Sequence, residues 1–167
     1  RADAGKPKLQ WGARLAGKLK GVDPRNARAV HAVMDEAGLW WDARAVSTLL
    51  KELRNARANL EVSFQVVDWC RRCKGVGSDV YTYNALISAC EKAGESDRAF
   101  GVYADMRREG VAPEVITYNA LISACEKAGQ SDRAFGVYAD MRREGVAPDV
   151  ITYNALISAC EKAGQSD

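Results

Sequence analysis

A chain of 167 residues, 47% hydrophobic and 28% charged, has too much apolar content for a disordered segment and enough charge for a globular one. It contains no run of roughly 18 apolar residues, which excludes a helical membrane span and leaves no membrane insertion to expect. The net charge of +2 conceals an asymmetry: residues 1–79 carry 15 Lys and Arg against 9 Asp and Glu, and residues 80–167 carry 9 against 13. Any general polyanion-binding surface is therefore expected in the N-terminal half.

Residues 1–7 read as an N-terminal extension. RADAGKPKLQ lacks the apolar stretch of a secretory signal, and the start at Arg1 rather than Met leaves room for a targeting segment upstream. Residues 8–42 read as a degenerate helical unit or N-terminal cap, marked by Ala27, Val30, Met34 and Gly38 followed by Asp42. His31 falls where later units have Tyr103 and Tyr138, a packing place rather than that of a base or ligand.

Residues 43–79 form a second degenerate unit. Val46, Leu49, Leu50 and Leu53 make the stripe of a first helix, and Phe64, Val67 and Cys70 that of a second. Gly75-Val76-Gly77-Ser78-Asp79 then mirrors Gly145-Val146-Ala147-Pro148-Asp149, with two residues inserted overall. Cys70-x-x-Cys73 has the spacing of half a zinc site, but the only histidine is His31 and no further thiolates lie free of helix cores, so two helical cysteines are the better account. Trp11, Trp40, Trp41 and Trp69 all lie outside the regular repeats and are expected to pack the irregular units. An exposed Trp40-Trp41 pair would instead offer a partner contact.

From Val80 the chain repeats itself. Residues 80–114 and 115–149 agree at 32 of 35 positions, differing only at Tyr81/Ile116, Glu95/Gln130 and Glu114/Asp149, and residues 150–167 begin a third copy. Tyr118, Leu121, Ile122 and Cys125 fall at i, i+3, i+4 and i+7, one stripe of a first helix that Gly129 ends. Ser131 is the expected N-cap of a second helix with the apolar face Ala134, Phe135, Val137, Tyr138 and Met141, closed by Gly145 and Pro148. Cys90, Cys125 and Cys160 recur at intervals of 35, too far apart in stacked units for a disulfide, as suits a reducing compartment.

Each unit is thus an antiparallel helical hairpin. One hairpin gains only ~10–20 kcal/mol from its apolar side chains, while ordering its backbone costs ~1–2 kcal/mol per residue, so units must stack. The predicted class is an all-α helical-repeat solenoid with one continuous inner groove. There is no visible nucleophile–base pair, no phosphate-binding G-x-x-x-x-G-K-[ST], no H-E-x-x-H and no G-x-G-x-x-G; neither an enzyme activity nor a cofactor is expected.

A 35-residue hairpin reading V-x-T-Y-N-A-L-I, A-C-E-K-A-G and M-R-R-E-G-V-A-P-D resembles the pentatricopeptide repeat family. Tetratricopeptide repeats have a 34-residue period and a W-x2-L-G-x2-Y pattern that is missing here. The resemblance implies a right-handed superhelix and single-stranded RNA as partner, each unit reading one base. It implies base-reading roles for Ser47 with Asp79, Asn84 with Glu114, Asn119 with Asp149, and Asn154. Asn with Asp favours uracil in that family, and Ser or Thr with Asp favours guanine; Glu114 departs from the usual Asp or Asn. It further implies base stacking by Tyr81, Ile116 and Ile151 and phosphate contacts by Lys92, Lys127 and Lys162.

On chemistry alone, an amide offers a donor and an acceptor to a base edge and a carboxylate can orient it. The plainer account is that a polar residue near a helix start needs no ligand and a surface lysine is a solvated charge. The functional expectation is sequence-selective RNA binding in organelle RNA processing, stability or translation, in a chloroplast or mitochondrion. The alternatives are an architectural subunit of an organelle ribosome or polymerase assembly, with protein partners, and the repeat arm of a longer enzyme such as a nuclease.

Overall fold

The computed structural model describes residues 10–38, 41–75 and 79–164, and every regular element among them is helical. In chain order these are α1 Gln10–Lys20, α2 Ala27–Glu36, α3 Ala43–Asn55, α4 Leu60–Lys74, α5 Val80–Ala93, α6 Ser96–Arg108, α7 Val115–Lys127, α8 Ser131–Arg143 and α9 Val150–Gly164. The all-α helical-repeat class expected from the sequence is the class found. The chain forms two compact units, Arg1–Ala85 and Leu86–Asp167, which divide within α5.

In the first unit, α1 packs on α3 and α2 on α4, the like-on-like stacking of two hairpins. Val46, Leu49, Leu50 and Leu53 are all buried, which fits the stripe read for α3. Asp42 caps that helix, its Oδ1 accepting the Ala45 N–H at 2.7 Å, and Asn26 caps α2 in the same way through Ala29 at 3.1 Å. In α2, Val30 and Met34 are buried but Ala27 is exposed, so the apolar face is shorter than expected. The start of this unit at Lys8 lies outside the described residues.

Trp11, Trp41 and Trp69 form an edge-to-face series, with centroids 5.9 Å and 5.6 Å apart. Trp41 and Trp69 are buried, so the idea of Trp41 as part of an exposed pair gives way to packing; Trp40 lies outside the described residues. Cys70 is buried and Cys73 exposed on the same helix, both as free thiols, and no metal-binding cluster occurs among the described residues. The His31 ring is half-buried, as a packing residue would be.

In the second unit, α7 packs against α6, α8 and α9, and α8 packs against α9. Tyr118, Leu121, Ile122 and Cys125 are fully buried, as the stripe of α7 requires. The turn after α7 is a left-handed cap: Gly129 has φ 67°, and the Gln130 N–H donates to Cys125 O at 2.9 Å. This turn places Gln130, not Ser131, at the N-cap of α8, and Ser131 becomes the first helical residue. The apolar face of α8 is also narrower than read: Ala134, Val137 and Met141 are buried, Tyr138 is half-buried and Phe135 is 45% exposed.

Polar contacts tie successive repeats of this unit together. Arg107 makes a bidentate pair with Glu144 at 2.9 and 3.0 Å, while Arg133 bonds Asp97 at 2.6 Å and stacks its guanidinium over Phe100 at 3.6 Å. Tyr103 with Tyr118, and Tyr138 with Tyr153, repeat one ring contact at 6.1 Å.

Candidate nucleic-acid interface

Asn119 stands on the second turn of α7 and is only 8% exposed. Its Nδ2 donates to Asp149 Oδ1 at 3.0 Å, across 30 residues of sequence, and its Oδ1 accepts from the Thr152 hydroxyl at 2.6 Å. Asp149 also caps α9: its Oδ1 accepts the Thr152 N–H at 2.9 Å, and its own N–H donates to Thr152 Oγ1 at 3.1 Å. Hydrogen bonds from the Thr152 N–H, then from the Asn119 amide, hold the Asp149 carboxyl below the ordinary aspartate value.

An ionised carboxylate only accepts, so the atom of Asn119 facing it must be the nitrogen. The amide orientation follows from the network. One N–H and one acceptor lone pair of Asn119 remain unspent, a paired donor and acceptor of the kind that recognises a base edge. Ile116 lies one turn earlier on α7 and is 57% exposed; Ile151, on the first turn of α9, is 62% exposed.

Glu114, Ser47 and Asn154 are placed differently from this pair. Glu114 is exposed and closes a capping box with Thr117, donating its N–H to Thr117 Oγ1 at 3.0 Å. Asn84 is buried, and Tyr81 is 65% exposed. Asp79 accepts the Thr82 N–H at 2.9 Å, again as a cap. Ser47 is buried, and its single hydroxyl proton goes to Arg44 O of its own helix at 3.0 Å, so it does not donate to Asp79 as Asn119 does to Asp149. Asn154 is exposed on α9.

The three lysines are not free cations. Lys127 Nζ lies on Glu91 Oε1 and Lys162 Nζ on Glu126 Oε1 at 2.5 Å, while Lys92 is 3.7 Å from Glu91. Ser123 donates to Glu91 at 3.1 Å and Ser158 to Glu126 at 3.0 Å, so each glutamate gathers a serine and a lysine from the following repeat. These glutamates, serines and Thr152 escaped sequence reasoning. The signal was their identical return in every copy at a fixed offset from the asparagine.

Two family models match the chain, the pentatricopeptide repeat domain over residues 65–128 and the PPR repeat family over residues 113–162. The chain belongs to the pentatricopeptide repeat family. No curated protein sequence matches it. Among solved structures it is similar to PPR10 in complex with an 18-nt psaJ RNA element, with a TM-score of 0.70 and 29% identity over 93% of this chain and 25% of that one. PPR10 from maize gives a TM-score of 0.70 and 32% identity over 90% of this pentatricopeptide repeat chain and 22% of that one. The PPR domain of Arabidopsis thaliana protein-only RNase P 1, in complex with tRNA, shares the fold at 20% identity and a TM-score of 0.66, covering 96% of this chain and 87% of that one. The chain thus spans about a quarter of the PPR10 chain.

Proposed function

We propose that this pentatricopeptide repeat chain binds single-stranded RNA and selects bases through amides held by carboxylates, with Asn119 and Asp149 as one such reading pair. The observation that carries this reading is the Asn119–Asp149 bond at 3.0 Å, which with the Thr152 contact leaves one amide donor and one acceptor lone pair of Asn119 unspent. Ile116 and Ile151 offer apolar faces for bases to stack on, and uracil is the base implied for Asn with Asp. Binding without chemistry is expected. An organellar role, in a chloroplast or mitochondrion, rests on the family resemblance alone.

Stacked bases supply ~1–3 kcal/mol each before ordering costs, so the few units here give modest affinity. Fluorescence anisotropy with short RNA homopolymers at fixed salt tests the reading. A preference for oligouridylate supports it, and equal affinity for all sequences removes it.

A second reading, an architectural subunit gripping protein or structured RNA, has one observation in its favour. Residues 80–167 carry 9 basic against 13 acidic residues, and Lys127 and Lys162 are spent on glutamates. Binding that follows RNA shape and ignores base identity would favour it.

A further inference from the structure

We infer that Thr152 is a specificity-determining positioning residue: it fixes which way the Asn119 amide faces, so the base read by one repeat is set partly by the threonine of the next. The inference rests on the base-reading role of Asn119 proposed above. Thr152 is fully buried and cannot touch RNA itself. Its hydroxyl reaches Asn119 Oδ1 at 2.6 Å, while its Oγ1 accepts the Asp149 N–H at 3.1 Å and its own N–H holds Asp149 Oδ1 at 2.9 Å. One side chain therefore positions both members of the reading pair.

The direction of the amide matters because uracil and cytosine present opposite patterns. Uracil offers N3–H beside a carbonyl oxygen, and cytosine offers an unprotonated N3 beside an amino group. For a base held in one pose by stacking, turning the amide over exchanges donor and acceptor and exchanges the favoured pyrimidine. Asp149 alone opposes that turn from one side. The Thr152 hydroxyl opposes it from the other. Its one proton goes to Asn119 Oδ1 at 2.6 Å, the shorter of two contacts, since Asp149 Oδ1 lies at 3.0 Å. A flipped amide would exchange that short bond for a second N–H on an oxygen that already accepts the Asp149 N–H.

The first unit supplies an independent observation. Thr82 has the place of Thr152, but the residue in the place of Asn119 is Ser47, whose hydroxyl serves Arg44 O. There Thr82 Oγ1 is buried without a hydrogen-bond partner. A buried unmade hydroxyl is costly, and its retention is understandable if the side chain matches an amide at the reading position.

The test is the ratio of oligouridylate to oligocytidylate affinity at fixed salt, measured on the whole chain. Thr152→Val removes the hydroxyl at nearly constant shape, and Thr152→Ser keeps it. The ratio should fall roughly fivefold in Thr152→Val and survive in Thr152→Ser. A folded Thr152→Val chain with the wild-type ratio overturns the inference. A wild-type chain with no ratio at all, unaffected by Asn119→Ala, sinks the base-reading proposal instead. Should Thr152→Val not fold, the first unit decides the question. Ser47→Asn should raise the uridine preference, and Ser47→Asn with Thr82→Val should not; an equal gain in both overturns the inference.

Discussion

Glu126 accepts from Lys162 Nζ at 2.5 Å, although the two residues belong to successive repeats and are 36 apart in sequence. Ser158 joins the same carboxylate at 3.0 Å, and Glu91 repeats the pattern with Lys127 and Ser123. The lysines that family resemblance assigns to phosphate are thus already partnered by acids that set one repeat upon another.

Freeing those lysines should strengthen RNA binding. Glu91→Gln with Glu126→Gln keeps the serine contacts but releases Lys92, Lys127 and Lys162, so affinity should rise at low salt. The dependence of log K on log salt should steepen by about 0.7 per added phosphate contact. Salt titrations of the double variant and the wild type check this. An unchanged slope would mean that the lysines serve stacking alone.

Identical sequence in different surroundings gives a second prediction. Ile122 of α7 is fully buried, while Ile157 at the same place in α9 is 58% exposed. Ile122→Ala should cost ~2–5 kcal/mol in chemical denaturation, and Ile157→Ala much less, below ~1 kcal/mol. In a chain extended past Asp167 by a copy of residues 133–149, which completes the repeat in register, the two substitutions should become comparable. The added helix would pack on α9 as α8 packs on α7, where Tyr118, Ile122 and Cys125 are fully buried.

Acid should loosen the repeats. Glu126 is held below the usual glutamate value chiefly by its bond to Lys162, and Glu144 chiefly by its bond to Arg107. Carboxyls depressed in the folded chain contribute stability that is complete above their unfolded value of ~4.3 and is lost as pH falls through the folded one. Thermal midpoints should therefore be flat from about pH 8 to pH 5 as far as these groups are concerned, and should fall below about pH 4. Glu144→Gln should lower the neutral midpoint and flatten the acid limb.

The hairpins were legible because Tyr118, Leu121, Ile122 and Cys125 carry a helical period, and Gly129 and Gly145 end the helices through left-handed backbone. Phe135 and Tyr138 were read as core because spacing alone cannot say how far a neighbouring helix extends over a face. The pairing of Asn119 with Asp149 was legible through resemblance alone, as the two lie 30 residues apart and no local pattern links them. Thr152 was not, since a threonine near a helix start reads as an ordinary cap until the fold brings Asn119 onto its hydroxyl.

The most direct measurement is a change of base choice. Asn119→Ser leaves Asp149 and Thr152 in place and exchanges the amide for a hydroxyl, the combination that family resemblance assigns to guanine. Affinities of the wild-type and Asn119→Ser chains for short RNAs differing only at the nucleotide facing residues 115–149 should show uridine preferred by the first and guanosine by the second, a reversal of roughly tenfold or more in the ratio. A uniform loss of affinity for every RNA, with the order of preference unchanged, would contradict base reading by Asn119.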